Sequence, residues 1–156
     1  MFRAELANND CTIAPIDFPM LDGLRVLVVD DDPDTRMLFA FALQAKGAIV
    51  STEASAQAAL ATMQATHFDL LISDIGLPNI DGYSFLRQVR ALPVEPRAQI
   101  PAMAITGFAD EQTRLQILAA GFQRALVKPT DIDQFVSIVA DLVGRSQRAT
   151  QHYSQK

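Results

Sequence analysis

The sequence predicts an α/β domain: a five-stranded parallel sheet, doubly wound by five helices, with strand order 2-1-3-4-5. Three observations predict it. Five apolar runs, each too short for a helix, alternate with longer segments of helical period. Four of those runs end abruptly in an acid, a threonine or a lysine followed by turn residues, as at Asp30-Asp31-Asp32-Pro33 and Lys128-Pro129. Parallel strands joined in this way need right-handed crossovers, which place helices on both faces of the sheet. The 156 residues suit one domain with a substantial core.

Residues 1–22 show no sustained period and read as an N-terminal tail, interrupted by Asn8-Asn9-Asp10, Pro15 and Pro19. Ile13, Ile16, Phe18, Met20 and Leu21 give that tail some capacity to pack on the domain, which spans residues 23–144. Leu24 to Val29 is the first strand. Asp32 or Asp34 caps the helix that Pro33 starts, and Gly47 stops it after about Lys46. Its inward stripe is Thr35, Leu38, Phe39, Ala42 and Leu43, which leaves an apolar outer face of Met37, Ala40 and Phe41. Ala48 to Thr52 is the second strand and Ser55 to Thr66 an Ala-rich helix. Leu70 to Ser73 has no polar alternation, so this strand is buried on both faces. A helix from Tyr83 to Leu92 buries Phe85, Leu86 and Val89, and Pro93, Pro96 and Pro101 mark a loop. Ala102 to Ile105 is the fourth strand, Asp110 to Ala120 a helix, Ala125 to Val127 the fifth strand, and Asp131 to Val143 the last helix. Residues 145–156 read as a flexible C-terminal tail, whose Arg145, Arg148 and Lys156 are too few for a nucleic-acid site.

Composition narrows the function. With 49% hydrophobic and 20% charged residues the chain is globular. A net charge of −5 argues against a nucleic-acid partner, which needs a basic face to neutralise phosphates. One cysteine, Cys11, excludes an internal disulfide and suits a reducing cytoplasm. No apolar run is long enough for a membrane span, the N-terminus lacks a signal-peptide pattern, and His67 and His152 have no zinc-ligand spacing.

The predicted topology places its switch point between strands 1 and 3, so Asp30, Asp31 and Asp74 flank one crevice. Thr106 and Lys128 arrive from the next two strand ends. A lone Asp at a strand end ordinarily caps a turn. Here several carboxylates converge, and a divalent cation is the usual remedy for their repulsion. All-oxygen ligands suit Mg2+ or Mn2+. A metal, the Lys128 ammonium and the Thr106 hydroxyl are together what a phosphoryl group requires, and a carboxylate can be its nucleophile.

These residues resemble the receiver domains of two-component response regulators over about Leu24 to Val143. The resemblance rests on Val28-Val29-Asp30-Asp31-Asp32, on Asp74 with Leu77-Pro78 and Asp81-Gly82 behind it, on Thr106-Gly107 and on Lys128-Pro129. It implies a flavodoxin-like fold with Asp74 as phosphoacceptor and Asp30 and Asp31 as the acidic pair. The metal ligands it implies are Asp31, Asp74 and the Gly76 backbone carbonyl, with Asp30 acting through a water. Thr106 would hydrogen-bond the phosphoryl group, Lys128 would pair with it, and the bond before Pro129 would be cis. The implied donor is a phosphohistidine on a sensor histidine kinase or phosphotransfer protein. Phosphorylation then biases the face of helix 4, strand 5 and helix 5, and hydrolysis resets it. Such a domain is a phosphoacceptor with phosphotransfer and autodephosphorylation chemistry rather than an ordinary enzyme.

The chain departs from that family at Ala125, where an aromatic switch residue is usual. Coupling is therefore expected to be weak or to run through Thr106, Phe108 and Phe122. Gly76 offers little shielding to an acyl phosphate, which implies a phosphorylated state that is not especially long-lived. No output domain follows residue 144, so the expected type is stand-alone, signalling to an unknown downstream protein by contact. The Met37, Ala40 and Phe41 face reads as a docking surface for the phosphodonor, with a homodimer contact as the alternative.

Two other readings stand beside this one. A pseudo-receiver would keep the pocket and signal without phosphate, as Ala125 suggests. A haloacid-dehalogenase-like phosphatase would use Asp30 as nucleophile and Asp32 as general acid. It would also need a second acidic pair, whereas Asp131 and Asp133 open a helix, where acids suit the dipole. Asn79 and Asp81 read as loop-shaping residues.

Overall fold

The computed structural model describes residues 20–93, 97–129 and 131–144. Five parallel strands form one sheet in the order β2-β1-β3-β4-β5. They are β1 (Arg25–Val29), β2 (Ile49–Glu53), β3 (Leu70–Asp74), β4 (Ala102–Thr106) and β5 (Arg124–Val127). The helices are α1 (Pro33–Gln44), α2 (Ala56–Ala65), α3 (Gly82–Arg90), α4 (Glu111–Ala120) and α5 (Ile132–Leu142), with a short 3-10 turn at Arg97–Gln99. This is the doubly wound arrangement expected from the sequence.

The central strands are buried on both faces because helices cover both. Alternation along β1 divides its side chains between two cores. Val26 and Val28 join Phe39, Leu43, Phe135 and Val139 under α1 and α5. Leu27 and Val29 join Met63, Phe85, Leu86 and Ile117 under α2, α3 and α4. The Phe39 and Phe135 rings stack at 4.4 Å between centroids, tying α1 to α5. Truncating a fully buried ring such as Phe85 to alanine costs about 3–5 kcal/mol.

Each helix begins at a side-chain cap. Asp32, Ser55, Asp81, Asp110 and Asp131 accept backbone N–H groups from the first turns of α1 to α5. Asp131, one of the two acids a phosphatase would place in the pocket, is thus engaged at the start of α5. Asp32 is likewise committed to Thr35.

The inward face of α1 differs from the expected stripe. Phe39, Ala42 and Leu43 are buried, but Leu38 is 49% exposed and joins Met37 and Phe41 outside. Most of this helix is apolar, so period alone does not fix which edge faces the core. The helix also ends at Gln44, two residues short of the expected stop. Gly47 then turns the chain with φ at 98°, and an added Cβ would lie 2.8 Å from Asp22 Cα.

Leu21 is wholly buried and its N–H donates to the Lys46 carbonyl, so the packed chain begins before residue 23. Met20 packs against the same core. Ile13, Ile16, Phe18 and the 145–156 segment lie outside the described residues.

Candidate functional site

Parallel strands end together, so the C-terminal edge of the sheet gathers what the sequence spreads over a hundred positions. Asp30 follows β1, Asp74 closes β3 and Thr106 closes β4. All three are buried polar residues at 1%, 8% and 3% exposure, a costly placement that calls for partners. Asp31 is exposed beside them. Carboxylate oxygens of Asp30, Asp31 and Asp74 lie within 4.8 Å of one another.

Lys128 reaches this cluster from the end of β5. Its N–H donates to the Thr106 carbonyl at 2.7 Å, which anchors it beside β4. Its Nζ stands 3.5 Å from Asp74 Oδ1 and 3.8 Å from Asp30 Oδ2. The Lys128–Pro129 bond is cis, as expected. Asp30, Asp31, Asp74 and Lys128 are thus brought together. Thr106 closes the neighbouring strand with its carbonyl bonded to the Lys128 N–H, and Gly76 is exposed on the loop after β3.

The acidic corner is held by backbone. The Asp30 N–H donates to Glu53 O, and its Oδ1 accepts the Asp32 N–H at 2.9 Å. Its Oδ2 is buried without a hydrogen bond, since the Lys128 ammonium at 3.8 Å is too far to donate. Burial pushes the Asp30 carboxyl above the usual range, and the Asp74 and Asp31 charges push the same way against the Asp32 N–H and Lys128. One ammonium facing three carboxylates leaves net negative charge and an orphaned oxygen. The donor set fits a hard divalent cation.

The loop behind Asp74 is built for close approach. Gly82 N–H donates to Ile75 O, and a Cβ at Gly82 would lie 2.6 Å from the Asp74 carbonyl oxygen and 2.7 Å from Ile75 Cα. At Gly76 a Cβ would meet nothing within 4 Å, so the mouth is open on that side. Thr106 Oγ1 accepts the Phe108 N–H at 3.1 Å, which leaves the hydroxyl hydrogen free to donate elsewhere.

Residues farther from the pocket divide. Ala125 is half-buried against the core under α2, α3 and α4, and Phe122 is buried. Phe108 is 70% exposed on the loop after Thr106, and Met37 and Phe41 are 68% and 72% exposed on α1. Sequence reading passed over Arg36, whose Nη1 donates to the Asp30 carbonyl at 2.6 Å. Its only sequence signal is its place one turn into the helix that follows the acids.

The Response regulator receiver domain family matches residues 26–140. An uncharacterized 14.6 kDa protein in the sodA1 3′ region of Leptolyngbya boryana is 40% identical over 119 residues, which cover 76% of this chain and 89% of that protein. The sensor histidine kinase RcsC of Escherichia coli strain K12 is 30% identical over 129 residues, 81% of this chain. The match spans only 13% of the kinase's length. Among solved structures, the receiver domain of the sensor histidine kinase PA1611 from Pseudomonas aeruginosa PAO1 aligns with a TM-score of 0.71 and 29% identity, covering 78% of this chain and 98% of that one. That structure holds a magnesium ion coordinated in its active-site cleft. The fold, the strand-end cluster and these matches place the chain in the response regulator receiver domain family of two-component signalling. Among the described residues no helix is long and apolar enough to cross a membrane.

Proposed function

We propose that Asp74 accepts a phosphoryl group from a phosphohistidine on a sensor histidine kinase or phosphotransfer protein, and that the phosphorylated domain signals by protein contact. The observation that carries this reading is the Lys128 ammonium 3.5 Å from Asp74 Oδ1, inside a cluster of three carboxylates with one orphaned oxygen.

The Asp74 carboxylate attacks phosphorus in line with the donor's imidazole nitrogen. An O–P bond forms, the N–P bond breaks, and the released imidazole takes a proton. Lys128 pairs with one phosphoryl oxygen and Thr106 donates to another, where their charge and dipole oppose the growing negative charge. Asp31, Asp74 and the Gly76 carbonyl, with Asp30 acting less directly, would hold magnesium or manganese, which would supply positive charge to the transferring group. Attack by water on phosphorus then returns the Asp74 carboxylate and inorganic phosphate. The open Gly76 side of the mouth favours that step.

Thr106 Oγ1 is tied to the Phe108 N–H, so a shift of Thr106 toward a phosphoryl group would draw the loop into α4 with it. Phe108, Leu115, Leu118 and Val127 leave apolar surface exposed along α4 and β5, the side where a downstream protein would dock. Residues 23–144, with Met20 and Leu21 packed on them, carry this function in the cytoplasm, flanked by the two terminal segments.

The test is incubation with acetyl phosphate and magnesium, read by intact mass. The wild type gains one phosphoryl group and Asp74→Asn gains none. Ala125 favours a second reading, a receiver that signals without phosphate. Under it the wild type also gains none while still binding its partner.

A further inference from the structure

Asp30 stands where β1 ends and the chain leaves the sheet. Its N–H still makes the last bond toward β2, to Glu53 O at 3.2 Å. Its carbonyl has no ladder partner, because the chain turns into α1 within three residues. The residue is 1% exposed, so an unpaired carbonyl there would carry a desolvation cost. Arg36, on the second turn of α1, fills the gap: its Nη1 donates to that carbonyl at 2.6 Å, a short, charge-assisted bond.

The bond has a geometric consequence. The Asp30 carbonyl and the Asp31 N–H belong to one planar peptide unit. Fixing the carbonyl oxygen fixes that plane, and with it the starting point of the Asp31 side chain. Asp30 is further pinned through Oδ1 by the Asp32 N–H, so the two anchors hold both ends of the residue and leave Oδ2 toward Lys128 and Asp74. A guanidinium on a carboxylate would instead compete with a cation for the same oxygens. Among the described residues Arg36 makes no ion pair, and its hydrogen bond goes to the backbone.

We infer that Arg36 is a positioning residue for the acidic pair: its bond to the Asp30 carbonyl orients the Asp30–Asp31 peptide so that the two carboxylates present a cation site. This rests on the divalent-cation reading of the pocket, but not on phosphorylation.

The experiment measures Mg2+ binding by titration calorimetry on the full chain, without any phosphodonor. It compares wild type, Arg36→Met, which keeps an apolar stem without a donor, and Arg36→Lys, which keeps charge and a donor. Thermal unfolding of each is recorded in EDTA. Arg36→Met is expected to weaken Mg2+ affinity about 10-fold, the low end of the effect of removing a residue that orients ligands. Arg36→Met leaves the buried Asp30 carbonyl without a donor and is expected to melt lower in EDTA than Arg36→Lys. Affinities are therefore compared at a temperature where every variant is fully folded, and there Arg36→Lys is expected to recover most of the loss. Mg2+ affinity that is unchanged in Arg36→Met overturns the inference, as does a loss that is equal in Arg36→Lys. A wild type that binds no Mg2+ overturns the cation reading itself, and the inference with it.

Discussion

Lys128 Nζ lies 3.5 Å from Asp74 Oδ1 and only 3.8 Å from Asp30 Oδ2, so one ammonium is shared between the ends of two neighbouring strands, β1 and β3. It is pulled by both and hydrogen-bonded to neither at ideal length. A cation held this loosely can follow new negative charge. In the proposed chemistry it shifts from carboxylate to phosphoryl oxygen without crossing the pocket.

Lys128→Ala should therefore slow phosphorylation by acetyl phosphate about 100-fold, the scale of losing one preorganised positive contact in a transition state. Mg2+ affinity should not fall, because the cation site loses a competing like charge. The rate of mass gain and a calorimetric titration check the two halves separately.

Asp30 gives a pH-dependent outcome. Its carboxyl is held above the usual range, first by burial, so the ionised form is less favourable in the folded than in the unfolded chain. For a raised group, the stabilising contribution is complete below the unfolded value of 3.8 and is lost as pH rises through the folded value. Asp30→Asn should accordingly raise the melting temperature of the metal-free protein at neutral pH. The gap to wild type should close near pH 3. Added Mg2+ should stabilise the wild type more than the variant.

The two glycines after Asp74 should behave oppositely. Gly82→Ala drives a Cβ to 2.6 Å from the Asp74 carbonyl oxygen, so the loop must shift, at about 1–3 kcal/mol. Urea unfolding reads that loss. Gly76 faces open space, so Gly76→Leu should fold normally and lengthen the phosphoryl half-life several-fold by covering the acyl phosphate. A wild-type half-life of many hours in magnesium buffer would contradict the expectation that the phosphorylated state is not especially long-lived.

These outcomes separate what the sequence made legible from what it hid. Strand runs, their turn-rich ends and the parallel alternation sufficed to predict the order of the sheet, and order alone brought Asp30, Asp74, Thr106 and Lys128 to one edge. Leu38 was misplaced because α1 is apolar on nearly every side, so no period distinguishes its buried edge. Met20 and Leu21 have the apolar character to pack on the domain, as they do, but one or two such side chains in an irregular segment leave no pattern that marks where the packed chain begins. The Arg36 contact was invisible for another reason: its acceptor is a backbone carbonyl, and every residue has one.

The outer face of α1 provides a partner-specific test. Met37, Leu38 and Phe41 form an exposed apolar patch, and Phe41→Glu places a charge at its most exposed member. Transfer from a cognate histidine donor should slow at least 10-fold, equivalent to roughly 1.4 kcal/mol, while acetyl phosphate should still label the protein at the wild-type rate. Equal loss with both donors would assign the effect to folding rather than docking.

The central claim is most directly tested by locating the phosphoryl group. Trypsin cuts after Arg25, Arg36, Lys46 and Arg87, so Asp30 and Asp31 fall in the 26–36 peptide and Asp74 in the 47–87 peptide. After labelling with acetyl phosphate and magnesium, borohydride reduction converts an acyl phosphate on Asp to homoserine, which peptide mass spectrometry then places. The account predicts the change at Asp74 in the 47–87 peptide. A change at Asp30 or Asp31 in the 26–36 peptide, or none in either, would contradict it.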